Sequence, residues 1–215
     1  TISIYGENER GIMGIQHSKR LEKLRFKMKS KGLDCVLITK KENYFYLSGF
    51  NGSSAVLLIS QENAVLITDF RYKEQAQAQA AEYKIEISNN GLIKKLSELL
   101  SAFDLVNVGF EDSQLSYKEY LDLTEKLSSC KLIPMGNIMQ KLRIIKDEEE
   151  IGFIRKAMEI ADKTFAHILG FIKPGVSEIE LAAEMEWFMR KNGASGPSFD
   201  TIVASGQRSA LPHGV

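Results

Sequence analysis

Cysteine is scarce in this sequence. Cys35 and Cys130 are the only two in 215 residues. That count excludes a disulfide framework and suits a reducing compartment. Neither has a second cysteine or a histidine at metal-ligand spacing, so both read as small, semi-buried thiols. An excess of charge of either sign is lacking as well, because 28 basic residues balance 28 acidic ones. Nucleic-acid binders rest their affinity on clustered positive charge, and membrane-surface proteins on polybasic stretches. Neither nucleic acid nor membrane is therefore expected as a partner. No apolar run approaches the ~20 residues of a membrane span. The N-terminus also lacks the basic-then-apolar order of a secretory signal, and a cytoplasmic location is expected. There is no His-Glu-x-x-His motif and no nucleophile elbow, which removes the simplest zinc-protease and serine-hydrolase readings.

A hydrophobic fraction of 44% is enough for a sizeable core. The length suits one large domain, or one domain and part of another. Leu21, Leu24 and Met28 follow helical spacing within 18–31. Short apolar runs at 34–39, 55–59 and 64–68 read as strands, the last two forming a hairpin around Gln61-Glu62-Asn63. Helices are expected at 73–81, 93–103 and 116–127, and strands at 83–87, 106–110 and 131–134. About six strands with interleaved helices make an α/β unit.

A boundary is expected at 136–146. Asp147-Glu148-Glu149-Glu150 then supply negative charge where a helix begins. Ile151, Ile154, Met158, Ala161, Phe165 and Ile168 form one long apolar stripe, which requires a partner surface. His167 beside it reads as a partly buried structural histidine. Ser177 and Glu180 have capping-box spacing and open a second helix, with Leu181, Met185 and Phe188 on one side and Trp187 as an anchor. A short strand is expected at 199–204. Beyond it His213 stands between Pro212 and Gly214. The proline stiffens the loop and biases Leu211 to an extended conformation, while Gly214 allows close approach. A histidine on a stiff loop at a strand end is a frequent address for catalysis, although taken alone it reads first as an ordinary turn residue.

The stretch Phe199-Asp200-Thr201-Ile202-Val203-Ala204-Ser205-Gly206, followed by Ala210-Leu211-Pro212-His213-Gly214, resembles a segment of the Xaa-Pro peptidases. These are the aminopeptidase P and prolidase branch of the pita-bread metallopeptidases. Ile172-Lys173-Pro174-Gly175-Val176-Ser177-Glu178 is similar to the start of their catalytic domain. Tyr46-Leu47-Ser48-Gly49-Phe50 and Thr68-Asp69-Phe70-Arg71-Tyr72 resemble parts of their N-terminal domain.

The resemblance implies an α/β creatinase-like N-terminal domain, a mixed β-sheet with flanking helices. The first helices and strand of a pita-bread α+β domain would follow it. The implied division is 1–12 as an extension or tag remnant ahead of Met13, 13–135 as the creatinase-like domain, 136–146 as a linker, and 147–215 as the start of the peptidase domain. The implied activity is metal-dependent hydrolysis of the bond on the amino side of proline. Proline-containing peptides would be the substrates, and a homodimer the assembly.

His213 would contact the substrate near the scissile bond, and Arg71 and Tyr72 would help close the active site. Two divalent ions, manganese, cobalt or zinc, are implied for the parent enzyme. In the family their ligands lie beyond the position of His213, so the sequence is expected to be the first part of a peptidase. Its own acids, Glu178, Glu180, Glu184, Glu186 and Asp200, give no confident ligand set, and no metal is expected in this chain. Two other readings stay open: a non-catalytic relative that binds peptides or a protein partner, and a metal-free creatinase-type hydrolase.

Overall fold

A computed structural model of the chain describes residues 10–89 and 91–214. The expected 1–12 extension falls almost wholly outside the described residues. Those described form two compact units, the first ending at Ile145 and the second starting at Lys146.

The first unit is built on a six-stranded mixed sheet. Its strands are β1 (Cys35–Ile38), β2 (Ala55–Ser60), β3 (Ala64–Thr68), β4 (Lys84–Ile87), β5 (Asn107–Phe110) and β6 (Lys131–Pro134). Their order across the sheet is β4-β3-β2-β1-β5-β6. The β1–β2 and β2–β3 pairs are antiparallel; β3–β4, β1–β5 and β5–β6 are parallel. β1 is buried at every position, as a central strand covered on both faces must be.

Alternation along β1 divides the core in two. Val36 and Ile38 face one cluster, with Leu24 and Met28 of α1 (Arg10–Ser30) and Leu47 of α2 (Lys41–Ser48). Cys35 and Leu37 face the other, with Leu96 and Leu100 of α4 (Leu92–Ala102) and Leu123 of α5 (Tyr117–Lys126). A short helix α3 (Lys73–Gln79) follows β3 and buries Ala76 in the first cluster.

Residues 136–146, expected as a linker, instead carry helix α6 (Ile138–Ile144). Ile138, Met139 and Leu142 are buried in the first cluster, so this segment is core. The charges at Lys141, Arg143 and Lys146 hid that apolar triplet. Helix α2 has no clean helical period in the sequence, because its tyrosines alternate. What fixes its start is Glu111, at the end of β5 and only 6% exposed. The carboxylate accepts from Thr39 N at 2.6 Å, Lys40 N at 2.8 Å and Asn43 Nδ2 at 2.5 Å. Asn43 Oδ1 in turn accepts from Arg143 of α6 at 2.8 Å.

The second unit holds α7 (Glu148–Leu169), α8 (Glu178–Lys191) and two short 3-10 turns, Gly206–Ala210 and Pro212–Gly214. Asp147 and Ser177 each cap their helix through a reciprocal capping box. On α7 the buried residues are Ile160, Thr164 and Ile168, while Ile154, Met158 and Phe165 of the expected stripe are exposed. Helix α7 therefore carries two apolar faces: Ile154, Met158 and Phe165 of the stripe lie on the exposed one, while Ile168, its last member, is buried with Ile160. His167 stacks on Phe188 with centroids 4.0 Å apart and meets Glu184 at 2.6 Å, tying α7 to α8. Trp187, expected as an anchor, is 51% exposed.

The strand expected at 199–204 does not form. A strand exists through hydrogen bonds to a neighbour, and the described residues of the second unit form no other strand. Among the described residues no helix is long and apolar enough to cross a membrane.

Candidate active-site residues

Arg71 and Tyr72 lie in the first unit and His213 in the second. Each is fixed by its own local machinery.

The corner after β3 begins at Asp69, whose extended backbone places its carboxylate over the next turn. Asp69 Oδ1 accepts from the backbone N of Arg71 at 3.1 Å, capping the 3-10 turn Phe70–Tyr72. The guanidinium folds back on the same carboxylate, with Nε to Oδ1 and Nη2 to Oδ2 both at 2.9 Å. Such two-pronged pairing fixes the plane of an arginine that a single contact would leave free. The hydrogen bond from Arg71 holds the Asp69 carboxyl down at about 2, and the pairing raises Arg71.

Tyr72 is fixed from the other side. Its hydroxyl lies 2.6 Å from Ser53 Oγ, and its ring meets Phe50 edge-on at 5.8 Å. The Ser53 hydrogen bond, aided by the Arg71 charge, lowers the phenol from its usual value. Gly52 makes this packing feasible, because a Cβ there would stand 2.3 Å from Phe50 Cζ and 3.0 Å from Tyr72 Cδ1. Gly52 and Ser53 are thus the seat of Tyr72. The result is a fixed, exposed cation beside a phenol, a pair suited to orienting a carboxylate or carbonyl group.

His213 is exposed, and its backbone lies in the left-handed region at φ 58°. For a residue with a Cβ that conformation costs about 1–2 kcal/mol. Leu211 is extended, as the following proline requires. Gly214 takes φ 67° and packs so tightly that a Cβ would stand 2.9 Å from Ala204 Cβ. The loop closes through Leu211 N to Arg208 O at 3.0 Å and Gly214 N to Leu211 O at 3.1 Å.

Two side chains given no site role from the sequence, Glu178 and Arg208, hold this loop. Glu178, the first residue of α8, accepts from Ser205 N at 2.7 Å, Ser205 Oγ at 2.8 Å and Arg208 Nη1 at 2.5 Å. The Ser205 bonds, helped by Arg208, pull the Glu178 carboxyl below its usual range. Arg208 Nε and Nη2 both donate to the carbonyl of Gly214. The partners of Glu178 lie some thirty residues downstream, where sequence spacing gives no sign of them.

Asp200, weighed as a ligand, is exposed, and among the described residues no three His, Cys, Asp or Glu side chains converge to hold a metal ion. The residues present do not fit a two-metal centre by themselves. Both thiols are free, with Cys35 wholly buried and pushed up to about 12 by that burial. Cys35 belongs to β1 and Cys130 precedes β6, with β5 between them, so the two lie beyond disulfide reach.

Comparison with known proteins gives two consecutive matches. Residues 20–145 match the creatinase/prolidase N-terminal domain, and residues 152–215 match metallopeptidase family M24. The uncharacterised peptidase YqhT of Bacillus subtilis is 44% identical over 91% of this chain and 56% of its own length. A Xaa-Pro dipeptidase of Pyrococcus horikoshii is 37% identical over 94% of this chain and 56% of its own length. Among solved structures, a Xaa-Pro dipeptidase from Bacillus anthracis superposes with a TM-score of 0.87 at 43% identity, covering 93% of this chain and 56% of that one. The chain thus spans about half the length of the curated relatives it matches.

Proposed function

The chain belongs to the creatinase/prolidase N-terminal domain family, continued by the start of a metallopeptidase family M24 region, and from that membership we infer that it works as the N-terminal part of a Xaa-Pro peptidase. The reaction is hydrolysis of the peptide bond on the amino side of proline, and the substrates are proline-containing peptides. One observation carries this reading: the likeness to Xaa-Pro dipeptidases runs through both units, over 94% of the chain in the relative from Pyrococcus horikoshii. A shared fold alone would not specify a substrate.

The residues have separate parts in it. His213, on its pinned loop, donates a hydrogen bond to the substrate backbone or to the oxyanion that develops during attack. It needs no bond to metal for that role. Arg71 and Tyr72 close over the peptide. The enzyme is a cytoplasmic homodimer. Two divalent ions, manganese, cobalt or zinc, would serve the reaction, and the described residues alone do not bring together a group to hold them.

The test is hydrolysis of matched peptides by the complete polypeptide carrying this sequence, with manganese, cobalt or zinc supplied. Release of the N-terminal residue from Xaa-Pro peptides, with alanine analogues cut far more slowly, is the expected result. Equal rates on both, or no cleavage of either, would overturn it.

A further inference from the structure

The left-handed backbone of His213 is uncommon for a residue with a Cβ, and the contacts around the loop hold it there. We propose that Glu178 and Arg208 form a positioning clamp that sets the His213 imidazole for its contact with substrate, a claim that rests on the role of His213 in the proposed function.

Three nitrogens of Arg208 are engaged at once. Nε and Nη2 hold the Gly214 carbonyl, immediately after His213, and Nη1 is held by Glu178. Glu178 also takes both donors of Ser205, where the loop starts, and it belongs to helix α8. The clamp therefore ties the two ends of the 205–214 loop to one rigid element, the arrangement that fixes a functional group most closely. All of this restraint acts on backbone. The exposed imidazole takes no part in the clamp and stays available for substrate. Lysine could reproduce the charge toward Glu178 but not the planar fork that reaches both partners.

The experiment compares Arg208→Lys, His213→Ala and the double variant in the complete enzyme, measuring kcat, KM and metal content on a Xaa-Pro dipeptide. Amide hydrogen exchange of the 215-residue chain and its Arg208→Lys variant runs in parallel. Arg208→Lys should lower kcat by about 10-fold to 100-fold, the range for a misplaced catalytic group, with KM and metal content unchanged. The double variant should be no slower than His213→Ala, because a clamp with nothing to position has no further effect. Exchange at Leu211 and Gly214 should quicken in Arg208→Lys, with the first unit unaffected.

Losses that multiply in the double variant, or normal turnover in Arg208→Lys, would overturn the proposal. Unchanged exchange at Leu211 and Gly214 would remove the clamp itself. Normal turnover in His213→Ala would instead overturn the role of His213, and with it the reading on which the clamp depends.

Discussion

At the scale of single residues, the two candidate clusters put their charges to different uses. In the proposed role His213 acts through its side chain, while the backbone bears the restraint. Replacing it with alanine should leave folding and metal content nearly unchanged, since an exposed imidazole buries little surface. Turnover of the complete enzyme should fall by ~10²–10³-fold, the usual cost of losing one preorganised donor to a developing charge. A rise in KM alone would mean uniform substrate binding instead, and near-normal turnover would return His213 to a plain turn residue. At the other corner Asp69 is spent on structure, capping the turn and gripping Arg71. Its folded carboxyl titrates at about 2, below the ordinary 3.8. The charged form is thus the one that folding favours. The Asp69–Arg71 contact is fully present above pH 4 and is lost as pH falls toward about 2. The Arg71 amide resonance should therefore titrate with a midpoint about 2 in the native protein, and lose that transition in Asp69→Asn. A midpoint at the ordinary carboxylate value would mean that the pairing does not hold in solution.

At the scale of elements, local signals were legible and long-range ones were not. The β2–β3 hairpin announced itself through Gln61-Glu62-Asn63 between two apolar runs, and the cap of α8 through Ser177 and Glu180. Both depend on residues within a few positions of each other. Nothing local shows that β5 inserts beside β1, or that Glu111 reaches back some seventy residues to start α2. Residues 199–204 have strand composition and make no strand, because pairing is a property of two segments. The candidate site divides in the same way. His213, Arg71 and Tyr72 stand out by type and motif, whereas Glu178 and Arg208 gain their meaning only from the fold. Glu111 gives the measurable consequence. Its removal leaves Asn43 Nδ2 and the amides of Thr39 and Lys40 without their acceptor. A buried donor without a partner costs about 1–3 kcal/mol. Glu111→Ala should therefore destabilise the first unit by about 3 kcal/mol or more, and Glu111→Gln, which loses acceptor capacity on one side only, by less. Urea unfolding of the 215-residue chain measures both, and an alanine variant as stable as the parent would show that water replaces the carboxylate.

At the scale of the whole molecule the two units differ in how much of themselves they bury. The first encloses its sheet between two apolar clusters. The second leaves Met158, Phe165, Ile172, Ile179 and Phe199 exposed, while Ile160 and Ile168 are buried. It also brings no three potential ligands together among its described residues. The 215-residue chain should accordingly retain no tightly bound divalent ion after dialysis and should not hydrolyse Xaa-Pro peptides. Elemental analysis finding nearly two manganese, cobalt or zinc ions per chain would refute that. The apolar surface has a separate consequence. Exposed apolar area of this extent drives association or invites cleavage, and the first unit, although Phe26, Phe70, Tyr117 and Ile145 are exposed, is held by two buried clusters. Limited proteolysis should cut within 147–215 before it cuts the first unit, unless the chain dimerises through that surface and is protected. Trp187, the one tryptophan, is half-exposed in the second unit and reports on the choice. Dimerisation that covers it would shift its emission to the blue as concentration rises, in step with the sedimentation coefficient. A chain that sediments as a monomer while 147–215 resists protease would mean that the two helices, their caps and the Glu178–Arg208 contacts suffice to hold the second unit without any cover for its apolar face.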